Sequence, residues 1–172
     1  MLVWDISTSR CVLRHRFKAH PGAVTSVEVF PMGPGTFASC AVDGMLKLWD
    51  PRQSGSGLIL KTSPHAVTTA VPSKSLGPRG TKIEATNPIK SPAISTMAMV
   101  YSKGSADVTY IVTGAGAGDG PNGAGGSSSV VLTDIRQSSR PVAKLDQAKN
   151  GIYSMCVVGD ECLLVGDGKG YY

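Results

Sequence analysis

The sequence predicts an all-β fold made of repeated four-stranded antiparallel units, and three observations lead there. The first is composition. Glycine is abundant at 21 residues while charged residues are only 17%, below the usual quarter for soluble domains. That mix suits short strands joined by Gly- and Pro-rich turns and does not suit helical bundles. The second is a repeat. Leu2-Val3-Trp4-Asp5 and Lys47-Leu48-Trp49-Asp50 are both short apolar strands that end in Trp-Asp. Their spacing of about 45 residues is that of four-stranded blades. A third apolar strand, Val130-Val131-Leu132, leads into Thr133-Asp134-Ile135-Arg136, close to two further periods on. The third is the run of strand-like segments between the first two marks, each closed by a turn signal.

In chain order, residues 1–6 read as the end of one blade. Residues 11–17 form an outer strand. Arg14, Arg16 and Lys18 alternate there with Leu13, His15 and Phe17, which places the cations on one face of a strand, toward solvent. Three inner strands follow at 23–30, 36–41 and 45–49. Pro31 to Gly35 makes the first turn and Asp43-Gly44 the second, with the residue types hairpins require. Residues 11–52 are thus expected to fold as one well-formed four-stranded unit.

Residues 57–136 carry a worn copy. Its outer strand is at 58–60 and its inner strands at 94–101, 109–113 and 129–132, with insertions at about 63–93 and 114–128. Thr133 stands where the Trp would be, and no His is suitably placed ahead of Ile94. The first insertion contains the turn-forming run Pro72-Ser73-Lys74-Ser75-Leu76-Gly77-Pro78 and Asn87-Pro88. The alternative is a whole degenerate blade here, since Pro64-His65-Ala66-Val67 echoes the start of the preceding repeat. Residues 141–172 begin a further, truncated repeat with strands at 143–145, 152–158 and 161–165. Lys149 takes the His slot and Asp167-Gly168 matches Asp43-Gly44.

The stretch from Phe17 through His20-Pro21-Gly22, Ser39, Asp43-Gly44 and Trp49-Asp50 to Arg52 resembles a WD40 repeat. The resemblance implies an incomplete WD40 β-propeller of antiparallel four-stranded blades, about three blades' worth. It also implies that His20, Ser39, Asp43 and Trp49 form a structural hydrogen-bond network, because a buried imidazole and a buried indole N–H need partners. Trp49-Asp50-Pro51-Arg52 is similar to the WD-x-R box of WD40 substrate receptors in cullin-RING ubiquitin ligases, where the Arg contacts the adaptor. Thr133-Asp134-Ile135-Arg136 shares that ending without the Trp. Arg52 and Arg136 are therefore the candidate adaptor-binding residues. The implied role is a protein–protein interaction scaffold, with contacts near residues 19–21 and 43–44. A closed ring has about four to eight blades, so the remaining blades are expected from sequence beyond this chain or from another chain.

Other chemistry finds little support. Ser39, His20 and Asp43 could suggest a hydrolase, but no strained G-x-S-x-G elbow surrounds Ser39, and no catalytic residue is assigned. Gly118-Asp119-Gly120-Pro121-Asn122-Gly123 fits a dinucleotide fingerprint in letters only, because a strand follows it where a helix is needed. His15, His20 and His65 lack metal-ligand spacing, so neither metal nor cofactor is expected. Cys11, Cys40, Cys156 and Cys162 form no C-x-x-C pair and are expected to be reduced, which points to a cytoplasmic or nuclear protein. The longest uncharged stretch with real apolar character, 29–42, is broken by Pro and Gly and too short for a bilayer. The net charge of +5 is the one support for the alternative function, a nucleic-acid-associated propeller subunit binding through its basic surface. The cations are spread out, with no block of five or six.

Overall fold

The computed structural model describes residues 1–7, 10–30, 35–53, 57–66, 91–101, 108–116, 128–136, 141–146, 150–159 and 162–168. They form twelve strands and no helix: β1 (Leu2–Asp5), β2 (Val12–Arg16), β3 (Val24–Val29), β4 (Phe37–Ala41), β5 (Leu46–Trp49), β6 (Leu58–Thr62), β7 (Ile94–Tyr101), β8 (Val108–Ala115), β9 (Val130–Asp134), β10 (Pro141–Leu145), β11 (Ile152–Val158) and β12 (Cys162–Asp167). Every segment expected to be a strand is one, with small differences at the ends. The difference at β8 matters most: it runs on to Ala115, so Gly114 and Ala115 belong to the sheet and not to the second insertion.

The grouping of the strands differs from the expectation. Four antiparallel sheets form, in the orders β1-β2, β3-β4-β5-β6, β10-β9-β8-β7 and β11-β12. Residues 11–52 are therefore not one sheet. The outer strand β2 pairs with β1, placing Val3 opposite His15 and Leu2 opposite Arg16. The sheet that contains Trp49 is completed from the following repeat by β6, with Leu48 opposite Leu60. In the same way β10 closes the sheet of β7 to β9. Sequence unit and sheet are offset by one strand. The physical reason is that β5 presents a free edge once it has paired with β4, and the next strand in the chain, β6, fills it. Asp50 N–H donates to the Gly57 carbonyl at 2.8 Å to begin that pairing.

The sheets stack face to face in chain order, each interface filled by apolar side chains. Phe37, Trp49 and Ala19 pack with Val3 and Phe17 between the first and second sheets. Ala38, Cys40, Leu46 and Leu48 meet Ile94, Met97, Met99 and Ile111 between the second and third. Ala98, Val112 and Val130 meet Ile152 and Met155 between the third and fourth. Strands β4, β7, β8 and β9 alternate between two buried faces, which is why they read as near-continuous apolar runs.

The second and third sheets touch directly, so no further sheet stands between them. Most of the first insertion, 67–90, lies outside the described residues. Its two ends meet: the Ser63 and Ser91 hydroxyls hydrogen-bond at 2.6 Å, and Ser63 also bonds the Gly44 carbonyl at 3.1 Å. Gly44 has φ +74°, and a Cβ there would sit 2.5 Å from the Ser91 Cβ and 2.8 Å from the Pro92 carbonyl oxygen. Glycine is thus required twice over at this turn, by backbone conformation and by the close approach of the next sheet.

One contact recurs from sheet to sheet. The hydroxyl of Thr25, second residue of β3, lies 2.6 Å from the carbonyl oxygen of Ile94, first residue of β7. Ser95, second residue of β7, bonds the carbonyl of Ile152, first residue of β11, in the same manner. A hydroxyl at this register ties each inner strand to the next and satisfies a carbonyl at the strand's entry. Thr25→Val keeps the shape and removes the donor. We expect it to lower unfolding free energy by about 1–2 kcal/mol, read from urea denaturation. An unchanged midpoint would show the contact to be dispensable.

Candidate functional site

The second sheet holds four of the residues singled out in the sequence. His20 sits in the lead-in to β3, Ser39 at the centre of β4, Asp43 in the β4–β5 turn and Trp49 at the end of β5. The structure brings them together. His20 Nδ1 lies 2.9 and 3.2 Å from the two Asp43 carboxylate oxygens, and His20 Nε2 lies 2.8 Å from Ser39 Oγ. Trp49 Nε1 donates to the same Ser39 oxygen at 2.8 Å. One tautomer satisfies every group. Nδ1–H donates to Asp43, Nε2 accepts from the Ser39 hydroxyl, and Ser39 Oγ accepts from the indole. Asp43 also accepts the Met45 N–H at 3.0 Å, fixing the turn that carries it.

Ser, His and Asp are thus arranged in the order a hydrolase would use, yet the chemistry is closed off. Ser39 is 0% exposed, the His20 side chain is 0% exposed, and the serine oxygen is occupied by the indole N–H. A substrate carbonyl has no route to Oγ. Burial, the largest influence, holds the His20 imidazole below its ordinary pKa, partly opposed by the bond to Asp43. The ring is therefore neutral near pH 7, as the single tautomer requires. Beside it Lys47, 9% exposed, bonds the Ala19 carbonyl and lies 5.9 Å from the Trp49 ring centroid.

The third sheet holds a network that the sequence did not reveal. The expectation of no suitable His ahead of Ile94 is wrong, because His65 fills the place from the far side of the insertion. It is 4% exposed. Its Nε2 lies 3.0 Å from Thr113 Oγ1 and its Nδ1 2.9 Å from Ser129 Oγ. Thr113 pairs with Met97 and Val131 as Ser39 pairs with Val27 and Lys47, so the two hydroxyls are register equivalents. The signal was the echo at Pro64-His65; distance along the chain obscured it. Thr133 does occupy the Trp register, opposite Ile111. Its buried hydroxyl has no hydrogen-bond partner, which is what remains when the indole is lost. Lys149, assigned to the His slot of the last repeat, lies outside the described residues, as does the 118–123 glycine motif.

Arg52 and Arg136 are far apart in sequence and occupy matching turns. Asp50 Oδ1 accepts the Arg52 N–H at 3.0 Å and Asp134 Oδ1 accepts the Arg136 N–H at 2.8 Å. Asp5 accepts the Ser7 N–H at 2.9 Å in the first sheet. The Asp that closes each of these strands therefore builds the turn after it. Asp50 does more: both of its oxygens bond the Arg52 guanidinium, each at 3.0 Å. Those bonds hold the Asp50 carboxyl below, and the Arg52 guanidinium above, their ordinary pKa values. The Arg52 side chain remains 59% exposed, and Arg136 is exposed.

Among the described residues no group of three or more His, Cys, Asp or Glu side chains could hold a metal ion. All four cysteines are unpaired, with Cys40 buried and the rest exposed.

Comparison with known families matches residues 11–50 to the WD domain, G-beta repeat. No curated protein matches the chain.

The third-sheet network generates two predictions. Burial pushes the His65 imidazole down to about 4, against a value near 6.5 when unfolded. The unfolded chain then takes up a proton that the folded one refuses. Stability should be full above about pH 6.5 and fall as pH drops toward 4, by on the order of 3 kcal/mol. Urea unfolding of His65→Gln across that window should show a shallower decline; an equal slope would clear His65. Thr133→Val removes a buried unpaired hydroxyl at nearly constant shape. It should raise stability by about 1 kcal/mol, and a lower melting temperature would contradict that reading.

Proposed function

We propose that this chain, which carries a WD40 repeat at residues 11–50, is a protein-interaction scaffold whose Asp-closed turns present arginine to a partner. The observation that carries this reading is the posture of Arg52. Its fork is aligned by Asp50 within a sheet that is rigidly bonded inside, while more than half of its side chain faces solvent. Pre-alignment lowers the entropy lost when a long side chain binds, and arginine is favoured at such anchors. The polar groups that could have served catalysis are sealed in the blade, which supports a binding role over an enzymatic one.

The narrower form is a substrate receptor of a cullin-RING ubiquitin ligase, with Arg52 and, secondarily, Arg136 meeting the adaptor. The WD-x-R pattern and the shared turn geometry support it. Arg136 is the weaker anchor, because Asp134 accepts its backbone N–H but Thr133 replaces the Trp. The free cysteines support a cytoplasmic or nuclear setting. Affinity purification of the full protein from cells should recover a cullin-RING adaptor. Recovery should fall at least tenfold for Arg52→Ala and less for Arg136→Ala. Equal recovery with Arg52→Ala would remove the ligase role and leave the scaffold reading standing.

A further inference from the structure

A groove of about 450 Å³ runs along the outer margin between the first two sheets, within the size range of ligand clefts. One wall is the end of β2 and the residues after it: His15, Arg16, Phe17 and Lys18. The other is formed by Trp49 and Pro51 at the close of β5. The two walls meet through aromatic rings, since Phe17 lies 5.5 Å from Trp49 between ring centroids.

Two features set this margin apart. The first is unneutralised charge. Arg14 is paired with Asp5 at 2.6 Å, and on the corresponding outer strand β10, Lys144 is paired with Asp146 at 3.0 Å. Arg16, at the end of β2, and Lys18, just after it, have no ion-pair partner among the described residues, and both are exposed. A lone lysine on a sheet edge guards against aggregation; two cations beside an aromatic cleft exceed that need.

The second feature is the backbone. Met1 and Phe17 exchange both of their main-chain bonds, each at 2.9 Å. The neighbouring pair, Leu2 opposite Arg16, is then a non-bonded one, and the N–H and C=O of Arg16 face away from β1. Among the described residues no strand pairs with β2 on that side.

We infer that this edge takes an extended acidic segment of a partner protein, added as a further strand. Its acidic side chains at alternate positions meet Arg16 and Lys18, and the intervening apolar ones rest on Phe17, Trp49 and Pro51. Main-chain bonds supply affinity and the alternation supplies selectivity. This deepens the scaffold reading by naming a partner chemistry. It rests on that reading but uses residues other than Arg52, so the two tests fail separately.

The test is fluorescence anisotropy of the full chain with a labelled eight-residue peptide alternating glutamate and valine. Binding should weaken with added salt and fall at least tenfold for the double variant Arg16→Glu, Lys18→Glu. The milder Arg16→Gln, Lys18→Gln pair serves if the first fails to fold. A peptide of the same composition in two blocks, all its glutamates ahead of all its valines, should bind at least tenfold more weakly. One with lysine in place of glutamate should not bind. Amide exchange in the unsubstituted protein should show protection of Arg16 on addition of the alternating peptide. Absence of binding, equal binding of the block peptide, or tighter binding of oligothymidylate at the same residues would overturn the proposal.

Discussion

The Ser39 hydroxyl joins three parts of the second sheet at one buried oxygen. It accepts the indole N–H from the end of β5 and donates to the imidazole that precedes β3, while that imidazole reaches the carboxylate in the β4–β5 turn. Loop, middle strand and terminal strand are thus tied at one oxygen. Because Ser39 and the His20 ring are fully buried, each bond is strong and each unmade bond costly. The arrangement therefore fixes strand register as well as adding stability. The Asp43 turn it secures also brings Gly44 against Ser91 and Pro92, so the same network positions the sheet that follows.

The third sheet shows how such a network decays. His65 keeps the central bond, to Thr113, and replaces the carboxylate with the neutral Ser129 hydroxyl. Its imidazole therefore lacks the carboxylate bond that, at His20, works against the effect of burial. The indole is gone and Thr133 is left unpaired. Apolar packing is kept throughout, with Ile111, Val112, Val130 and Val131 all at or below 5% exposure. The two sheets reach the same architecture with different sets of polar bonds.

The strands were legible in the sequence because alternation and turn residues are local signals. The network in residues 20–49 was legible through the resemblance to a WD40 repeat, since its four members fall within one repeat. What escaped was non-local. The membership of β2 and β6 could not be read from their own residues, because an outer strand such as Leu58–Thr62 looks the same whichever neighbour it joins. His65 escaped because the insertion carries it away from Ile94. The Thr25 and Ser95 hydroxyls, each reaching a carbonyl in another sheet, look like ordinary strand residues until the sheets are stacked. The alignment of Arg52 by Asp50 was also hidden, since the four-letter motif gives spacing but not direction.

The one-strand offset between repeat and sheet has a consequence for how such a chain can lengthen. If a new copy of the unit is spliced in at a unit boundary, its first strand completes the sheet before it, and its last three await the first strand of the unit after it. Neither flanking unit need change its own wiring, and no strand is left without a neighbour. Copy number can thus vary by tandem duplication without a structurally incomplete intermediate, whereas units coincident with sheets would have no such clasp to hand on.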